Sequence, residues 1–215
     1  LLVNGVLAAL LETANSGQGQ VIDVAMVDGA AQLMWMLSGF QGIGLWDATQ
    51  REANMLDGGA HFYDTYECAD GQYISLGSIE PQFYALLKQL AGLSEADFGN
   101  QNDQASWPVM KEKLTAVIRQ KPQAQWCAIM EGTDVCFAPV LNFMDAPSHP
   151  ANTARNSYIE VDGITQPAPA PRFSRTPSHV QHGAHDIGQD TGAVLTAMGF
   201  GEQELASLRA AGAIV

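Results

Sequence analysis

The chain has 215 residues, 47% of them apolar and only 15% charged, so a sizeable core can form and disordered, collagenous and fibrous readings are excluded. Ten Lys and Arg against 23 Asp and Glu give a net charge of -13, which repels polyphosphate and anionic lipid headgroups; neither nucleic acid nor a membrane is expected as a partner. The three cysteines, Cys68, Cys127 and Cys136, are an odd number with no close metal-type pair, which argues against a disulfide framework and suits a reducing, cytoplasmic setting.

In chain order, Leu1 to Leu11 is an apolar run broken by Asn4 and Gly5. It lacks the basic start of a signal peptide and the length of a membrane span, so it reads as a buried helix of a larger fold ending before Asn15-Ser16-Gly17. A fold entered inside a buried helix implies upstream residues. Gln20 to Asp28 has a β-branched, strand-like start and then a helical look, and Ala30 to Phe40 continues as an apolar helix. A Gly-rich, irregular stretch runs from Gly42 to Gly59.

Ala60 to Cys68, the Asp70-Gly71 turn and Gln72 to Gly77 read as a tight β-hairpin. Pro81 can start a helix with Phe83, Leu86, Leu87 and Leu90 on one face and a stop at Gly92. Two more helices are expected from Trp107 to Ile118 and from Gln123 to Glu131, with Ala116, Val117, Trp126, Ile129 and Met130 in the core. From Phe137 to Pro150 the chain turns extended. Pro167, Pro169, Pro171 and Pro177 make residues 165 to 188 a surface connection, before two closing helices, one capped near Asp190 or Thr191 and one around Glu202 to Ala211.

Motifs that carry chemistry are sparse. His179, His182 and His185 share a spacing of three, but Pro177 and Gly183 argue against a helix that would align them, and solvated loop histidines are expected rather than a metal site. The Gly-rich pieces match neither a dinucleotide fingerprint nor a phosphate loop. No Gly-x-Ser-x-Gly elbow is present, and the cysteines sit in apolar or strand contexts of inert core thiols. Met26, Met34, Met36 and Met55 crowd the first quarter of the chain, either as core filler or as a pliable surface for acyl chains. The most suggestive segment is Gly77-Ser78-Ile79-Glu80-Pro81-Gln82-Phe83-Tyr84, where a carboxylate stands between an apolar strand and a Pro-started helix. Such junctions face clefts, and the helix dipole favours an anion there; plain helix capping is the alternative role for Glu80.

At these residues the chain resembles the family III CoA-transferases, the CaiB/BaiF superfamily, and within it the alpha-methylacyl-CoA racemase branch. The matching pieces are Ser16 to Gly29, Ala53-Asn54-Met55-Leu56-Asp57-Gly58-Gly59-Ala60, Tyr63 to Gly71, Ile79-Glu80-Pro81-Gln82-Phe83-Tyr84, Ala138-Pro139-Val140 and Pro169 to Thr176. The first of these is common to the superfamily; the Asn-Met-Leu-Asp-Gly-Gly and Ile-Glu-Pro-Gln pieces are particular to the racemase branch. The resemblance implies an α/β fold with a Rossmann-like large domain, incomplete here, and a small α+β domain, in an interlocked dimer. On that reading residues 1–24 end the first large-domain segment, 25–63 are a linker, 64–137 the small domain, 138–156 a return linker, and 157–215 rejoin the large domain.

The resemblance further implies a racemase of 2-methyl-branched acyl-CoA thioesters acting by 1,1-proton transfer, without cofactor or metal. The α-proton of a thioester is weakly acidic, so two bases on opposite faces and donors to the enolate oxygen are needed. In the family these bases are a His and an Asp upstream of the position matching Leu1, as are the basic CoA-binding residues, so this chain alone is expected to be inactive. Glu80 matches the glutamate that lies beside the catalytic His of the partner subunit, where a carboxylate orients the imidazole and raises its pKa. Met26, Met55, Tyr63 and Ile79 match positions near the acyl-binding surface. A CoA-transferase moving CoA between carboxylic acids through an aspartyl thioester is the alternative within the superfamily.

Overall fold

The structure, a computed structural model, describes residues 1–215. The chain divides into two compact units, Leu1–Val140 and Leu141–Val215.

The first unit opens with α1 (Leu2–Ser16), which ends on Gly17 in the left-handed region (φ 74°), its N–H donating to the Thr13 carbonyl. The helix forms where the apolar run predicts one. It is not buried, however: Leu7 and Leu11 are 61% and 67% exposed, because no second apolar layer of this chain covers them. The strand-like start at Gln20–Val24 forms no strand either, and Val21 is 96% exposed. A strand needs a ladder partner, and neither sheet of the chain reaches this segment. The single helix expected from Ala30 to Phe40 is two, α2 (Met26–Leu33) and α3 (Trp35–Gly42), separated at Met34, whose backbone (φ -88°, ψ 0°) leaves the helical region.

The hairpin stands as the alternation predicts. β1 (Tyr63–Glu67) pairs antiparallel with β2 (Tyr73–Gly77), Thr65 opposite Ser75, across a turn in which Gly71 takes φ 76°. β3 (Phe137–Val140), expected only as extended chain, pairs with the other edge of β2, giving the order β1-β2-β3. Tyr66, Ile74 and Leu76 point to the buried face. Helices α4 (Pro81–Ala91), α6 (Trp107–Ile118) and α7 (Gln123–Met130) supply Leu87, Leu114, Ile118, Trp126 and Met130 to the same core. A short α5 (Glu95–Phe98) lies between α4 and α6, capped by the Ser94 hydroxyl on the Asp97 N–H. Ala116 is exposed, contrary to expectation, because the inward face of α6 runs Trp107, Met110, Leu114, Ile118. Val117 and Ile129 are half-buried against that core.

The second unit carries α8 (Pro150–Ala154), a hairpin of β4 (Tyr158–Val161) and β5 (Ile164–Pro167), and the helices α9 (Thr191–Ala197) and α10 (Glu202–Ala210). Residues 168–190 have no regular structure, as their prolines require, but the first part of the expected connection is strand β5. The hairpin turns on Asp162 and Gly163, both at positive φ (52° and 78°), the conformation that Asp-Gly supplies. No helix is long and apolar enough to cross a membrane.

Candidate functional site

Glu80 occupies the N-cap position of α4 with extended backbone (φ -70°, ψ 143°), and Pro81 fixes the first helical φ. The Glu80 carbonyl accepts the Tyr84 N–H at 3.0 Å. Its side chain caps nothing and is exposed, so the alternative role of a capping carboxylate is not realised. What fixes the residue is the backbone on either side. The Ser78 N–H donates to the Phe62 carbonyl (3.0 Å) and its hydroxyl to the Val135 carbonyl (2.6 Å). Gln101, only 8% exposed, donates its amide to the Ser78 and Ile79 carbonyls at 3.0 and 2.8 Å. In turn the Trp107 indole N–H donates to the Gln101 carbonyl at 2.8 Å. A free carboxylate on a pinned backbone is the arrangement expected of a group presented to something outside this chain.

The open face of the sheet forms a cleft of about 520 Å³ beside this junction, lined by Tyr63, Asp64, Ser75, Gly77, Cys136 and the Leu56–Gly58 turn among others. Cys136 is exposed, with positive φ (57°), and is therefore not a core thiol. Its position just before β3 places it on the open edge of the sheet instead. Desolvation, then the carboxylates of Glu80 and Asp134, hold the thiol above its ordinary pKa. Cys68 is buried and Cys127 half-buried.

The Asn54 to Gly59 segment is a scaffold in its own right. Asn54, 3% exposed, donates its backbone N–H to Asp57 Oδ1 (2.8 Å) and its amide to Asp57 Oδ2 (2.7 Å) and the Asp47 carbonyl (3.0 Å), and accepts the Asp47 N–H (2.7 Å). Burial raises the Asp57 pKa, but the hydrogen bonds from Asn54 and Gly59 outweigh it and keep the carboxyl below the usual range. Lys111 on α6 ties the segment down, donating to the Gly58 carbonyl (2.5 Å) and pairing with Asp64 on β1. Gly58 takes φ 94°, and a Cβ on Gly59 would lie 2.7 Å from the Asn54 carbonyl oxygen, so both glycines are required, one for conformation and one for close approach. Met55 and Leu56 lie between the two residues, Asn54 and Asp57, that this network joins.

The expected site residues are thus distributed. Tyr63, 37% exposed, lines the cleft. Ile79 is half-buried against the core, one residue from Glu80. Met55 lines a second, smaller pocket with Leu56 and Trp107. Met26, 91% exposed on α2, lines neither. In the second unit His182 and His185 stack at 4.0 Å between ring centres and His185 Nδ1 meets Asp190 Oδ2 at 2.6 Å; no group of three metal-ligating side chains gathers there or elsewhere.

Sequence reasoning passed over His61, which is fully buried. The Tyr84 hydroxyl donates to the Phe98 carbonyl (3.0 Å), which can only accept, so the 2.8 Å contact between Tyr84 and His61 is an Nε2–H donating to the hydroxyl oxygen. That tautomer leaves Nδ1 an acceptor without a partner. Burial among Phe62, Tyr84 and Phe98 pushes the His61 pKa down to about 4. Its place inside a β-hairpin lead rather than at a junction gave no signal in the sequence.

Comparison with known proteins gives this geometry its context. The chain is 45% identical to the mouse alpha-methylacyl-CoA racemase over 208 residues and 42% identical to the human one over 207, in each case 95% of this chain but 54% of the relative. It therefore spans about half the length of the curated relatives it matches. Among solved structures, a CaiB/BaiF family protein from Brucella suis superposes with a TM-score of 0.69 at 19% identity, over 91% of this chain and 52% of that one. Rv3272 from Mycobacterium tuberculosis superposes with a TM-score of 0.65 at 20% identity, over 84% and 47%. These likenesses establish the mixed α/β fold. Residues 1–191 match the CoA-transferase family III, and it is to this family that the chain belongs.

Proposed function

We propose that this chain is the C-terminal portion of an alpha-methylacyl-CoA racemase, inverting the carbon next to the thioester of 2-methyl-branched acyl-CoA substrates. The observation that carries the reading is the 42–45% identity to two mammalian racemases across 95% of the chain. The uncommitted Glu80 carboxylate on its pinned turn agrees with it. In this reading residues 1–24 and 157–215 belong to a Rossmann-like large domain, 64–137 form the small domain, and 25–63 and 138–156 are linkers between them.

The chemistry follows from the acidity of the α-carbon. One base removes the proton, the enolate is held by hydrogen-bond donors, and a second base returns a proton to the opposite face. On this reading, which rests on the family resemblance, the His and Asp that would do this belong to the part of the large domain that precedes the position matching Leu1. Glu80 acts as a positioning residue: in a homodimer its carboxylate faces the partner's His, accepts the ring N–H opposite the reacting nitrogen, and stabilises the imidazolium. Tyr63, Met55, Met26 and Ile79 supply the acyl-facing surface. A transferase working through an aspartyl-CoA thioester is the second reading, favoured by the family description alone.

The test uses 2-methylacyl-CoA in heavy water. The complete enzyme incorporates deuterium at the α-carbon, and this chain alone does not; exchange by the chain alone overturns the assignment of the bases. In the complete enzyme Glu80→Gln lowers exchange by roughly 10- to 100-fold, the range of a lost orienting partner, and moves the pH profile. An unchanged profile reduces Glu80 to a surface residue, and an adduct of enzyme-bound CoA trapped by hydroxylamine favours the transferase.

A further inference from the structure

His61 has no part in the chemistry described so far, and burying it is unfavourable. A leucine or phenylalanine would fill the same space without desolvating an imidazole or leaving Nδ1 unpaired. What a hydrocarbon side chain could not supply is the Nε2–H that meets the Tyr84 hydroxyl at 2.8 Å. With its pKa held down to about 4, the ring is neutral at physiological pH and offers that single donor.

The place of this bond in the fold gives it a use. Glu80 lies between Ser78 and Tyr84, and both of those residues are tied to the dipeptide His61-Phe62: the Ser78 N–H donates to the Phe62 carbonyl at 3.0 Å, and the Tyr84 hydroxyl accepts from the His61 ring. The dipeptide is itself anchored. The His61 carbonyl accepts the hydroxyl of Tyr66 on β1 at 2.5 Å, and Phe62 is fully buried edge-on against Trp107, ring centres 5.8 Å apart. On its other side the Tyr84 hydroxyl donates to the carbonyl of Phe98, the last residue of α5, at 3.0 Å. Because the Glu80 carbonyl accepts the Tyr84 N–H at 3.0 Å, a shift of Tyr84 moves the first turn of α4 and the residue that starts it. Ser78 and Gln101 hold the strand side of this junction, and His61 holds the helix side.

We propose that His61 is a positioning residue: through Tyr84 it fixes the first turn of α4 and thereby the place at which the Glu80 carboxylate stands. Its effect on turnover rests on the racemase reading above; its effect on the carboxylate does not.

The carboxylate's position is read on the 215-residue chain through Cys136, an exposed thiol whose pKa Glu80 helps to raise. Only the thiolate is alkylated, so the rate of iodoacetamide labelling at Cys136, followed against pH by peptide mass spectrometry, reports whether the carboxylate is close. Glu80→Gln moves that profile to lower pH. His61→Leu moves it the same way, as does Tyr84→Phe, which keeps the aromatic ring and removes the acceptor of the bond; His61→Gln, which retains an N–H donor, leaves it in place. A wild-type profile in His61→Leu and Tyr84→Phe, or in Glu80→Gln itself, overturns the proposal. In the complete enzyme His61→Leu lowers kcat for α-proton exchange about 10-fold, the low end for a lost supporting partner, with KM unchanged, and lowers it no further in the Glu80→Gln background. Losses that multiply in the double variant overturn a role exerted through Glu80. A shifted Cys136 profile in an enzyme without racemase activity removes the proposed function and keeps the positioning role.

Discussion

At the scale of single residues, the groups that the structure makes most consequential differ in how visible they are in the sequence. Glu80 stands at a strand-to-helix junction flanked by Ile and Pro, a position that marks itself, whereas Gln101 and Ser78, which hold the turn, are ordinary polar residues whose importance comes only from where their partners fold. His61 is hidden for the same reason, and it carries a pH dependence. Its pKa falls from 6.5 to about 4 because burial disfavours the imidazolium. Above 6.5 both folded and unfolded states are neutral there and stability does not depend on the group. Between 6.5 and about 4 only the unfolded chain takes the proton, so stability falls with pH at up to about 1.4 kcal/mol per unit; below about 4 both are protonated and the loss is complete. Urea unfolding across this window therefore shows a slope that His61→Gln flattens, and an equal slope in the variant assigns the acid sensitivity to other groups.

At the scale of elements, local signals succeeded where the chain satisfies its own backbone and failed where the partner is distant. Asp70-Gly71 gives the hairpin β1-β2, and Pro81 and Gly92 bound α4 within a residue. Asp162-Gly163 carries the same turn signal, yet the prolines that follow it masked the β4-β5 hairpin; Pro167 is tolerated because it ends its strand. β3 needed knowledge that β2 had a free edge, which no window of sequence contains. The Asn54–Gly59 segment was legible as a motif but not as a mechanism: its residues serve one another, with Gly59 packed against the Asn54 carbonyl. Gly59→Ala puts a methyl 2.7 Å from that oxygen, and since backbone surrounds it on this side the loop must shift. The expected cost is about 1–3 kcal/mol, read as a lower urea midpoint with unchanged slope. Gly71→Ala, where nothing lies within 4 Å, suffers only from its positive φ and serves as the reference; a smaller loss at 59 than at 71 means the segment yields freely.

At the scale of the whole molecule, the resemblance explained what composition could not. A charge of -13 and 47% apolar content describe many acidic proteins, and it was the resemblance of particular motifs, Ile79-Glu80-Pro81-Gln82 among them, to those of a known family that led to the match over residues 1–191. The first helix, expected as a buried helix of a larger fold, has the apolar character of one, and this chain leaves the apolar residues of α1 to α3 uncovered: Leu7 and Leu11, Val27 and Leu33, and Trp35 with Ile43 just past the end of α3 are each more than 60% exposed. Stable monomers rarely leave contiguous apolar surface of this kind to solvent, since each buried methylene is worth about 0.8 kcal/mol. Electrostatic repulsion between acidic copies opposes association, but it is screened beyond about 8 Å at physiological salt, while the apolar term is not. The chain is therefore expected to self-associate, and more so as salt is raised. Size-exclusion chromatography with light scattering reads this directly: dimers or larger species at low micromolar concentration, shifting upward between low and high salt. A monodisperse monomer throughout would show that these faces are covered within the chain itself, and would remove the physical ground for an assembly in which Glu80 reaches a neighbouring subunit.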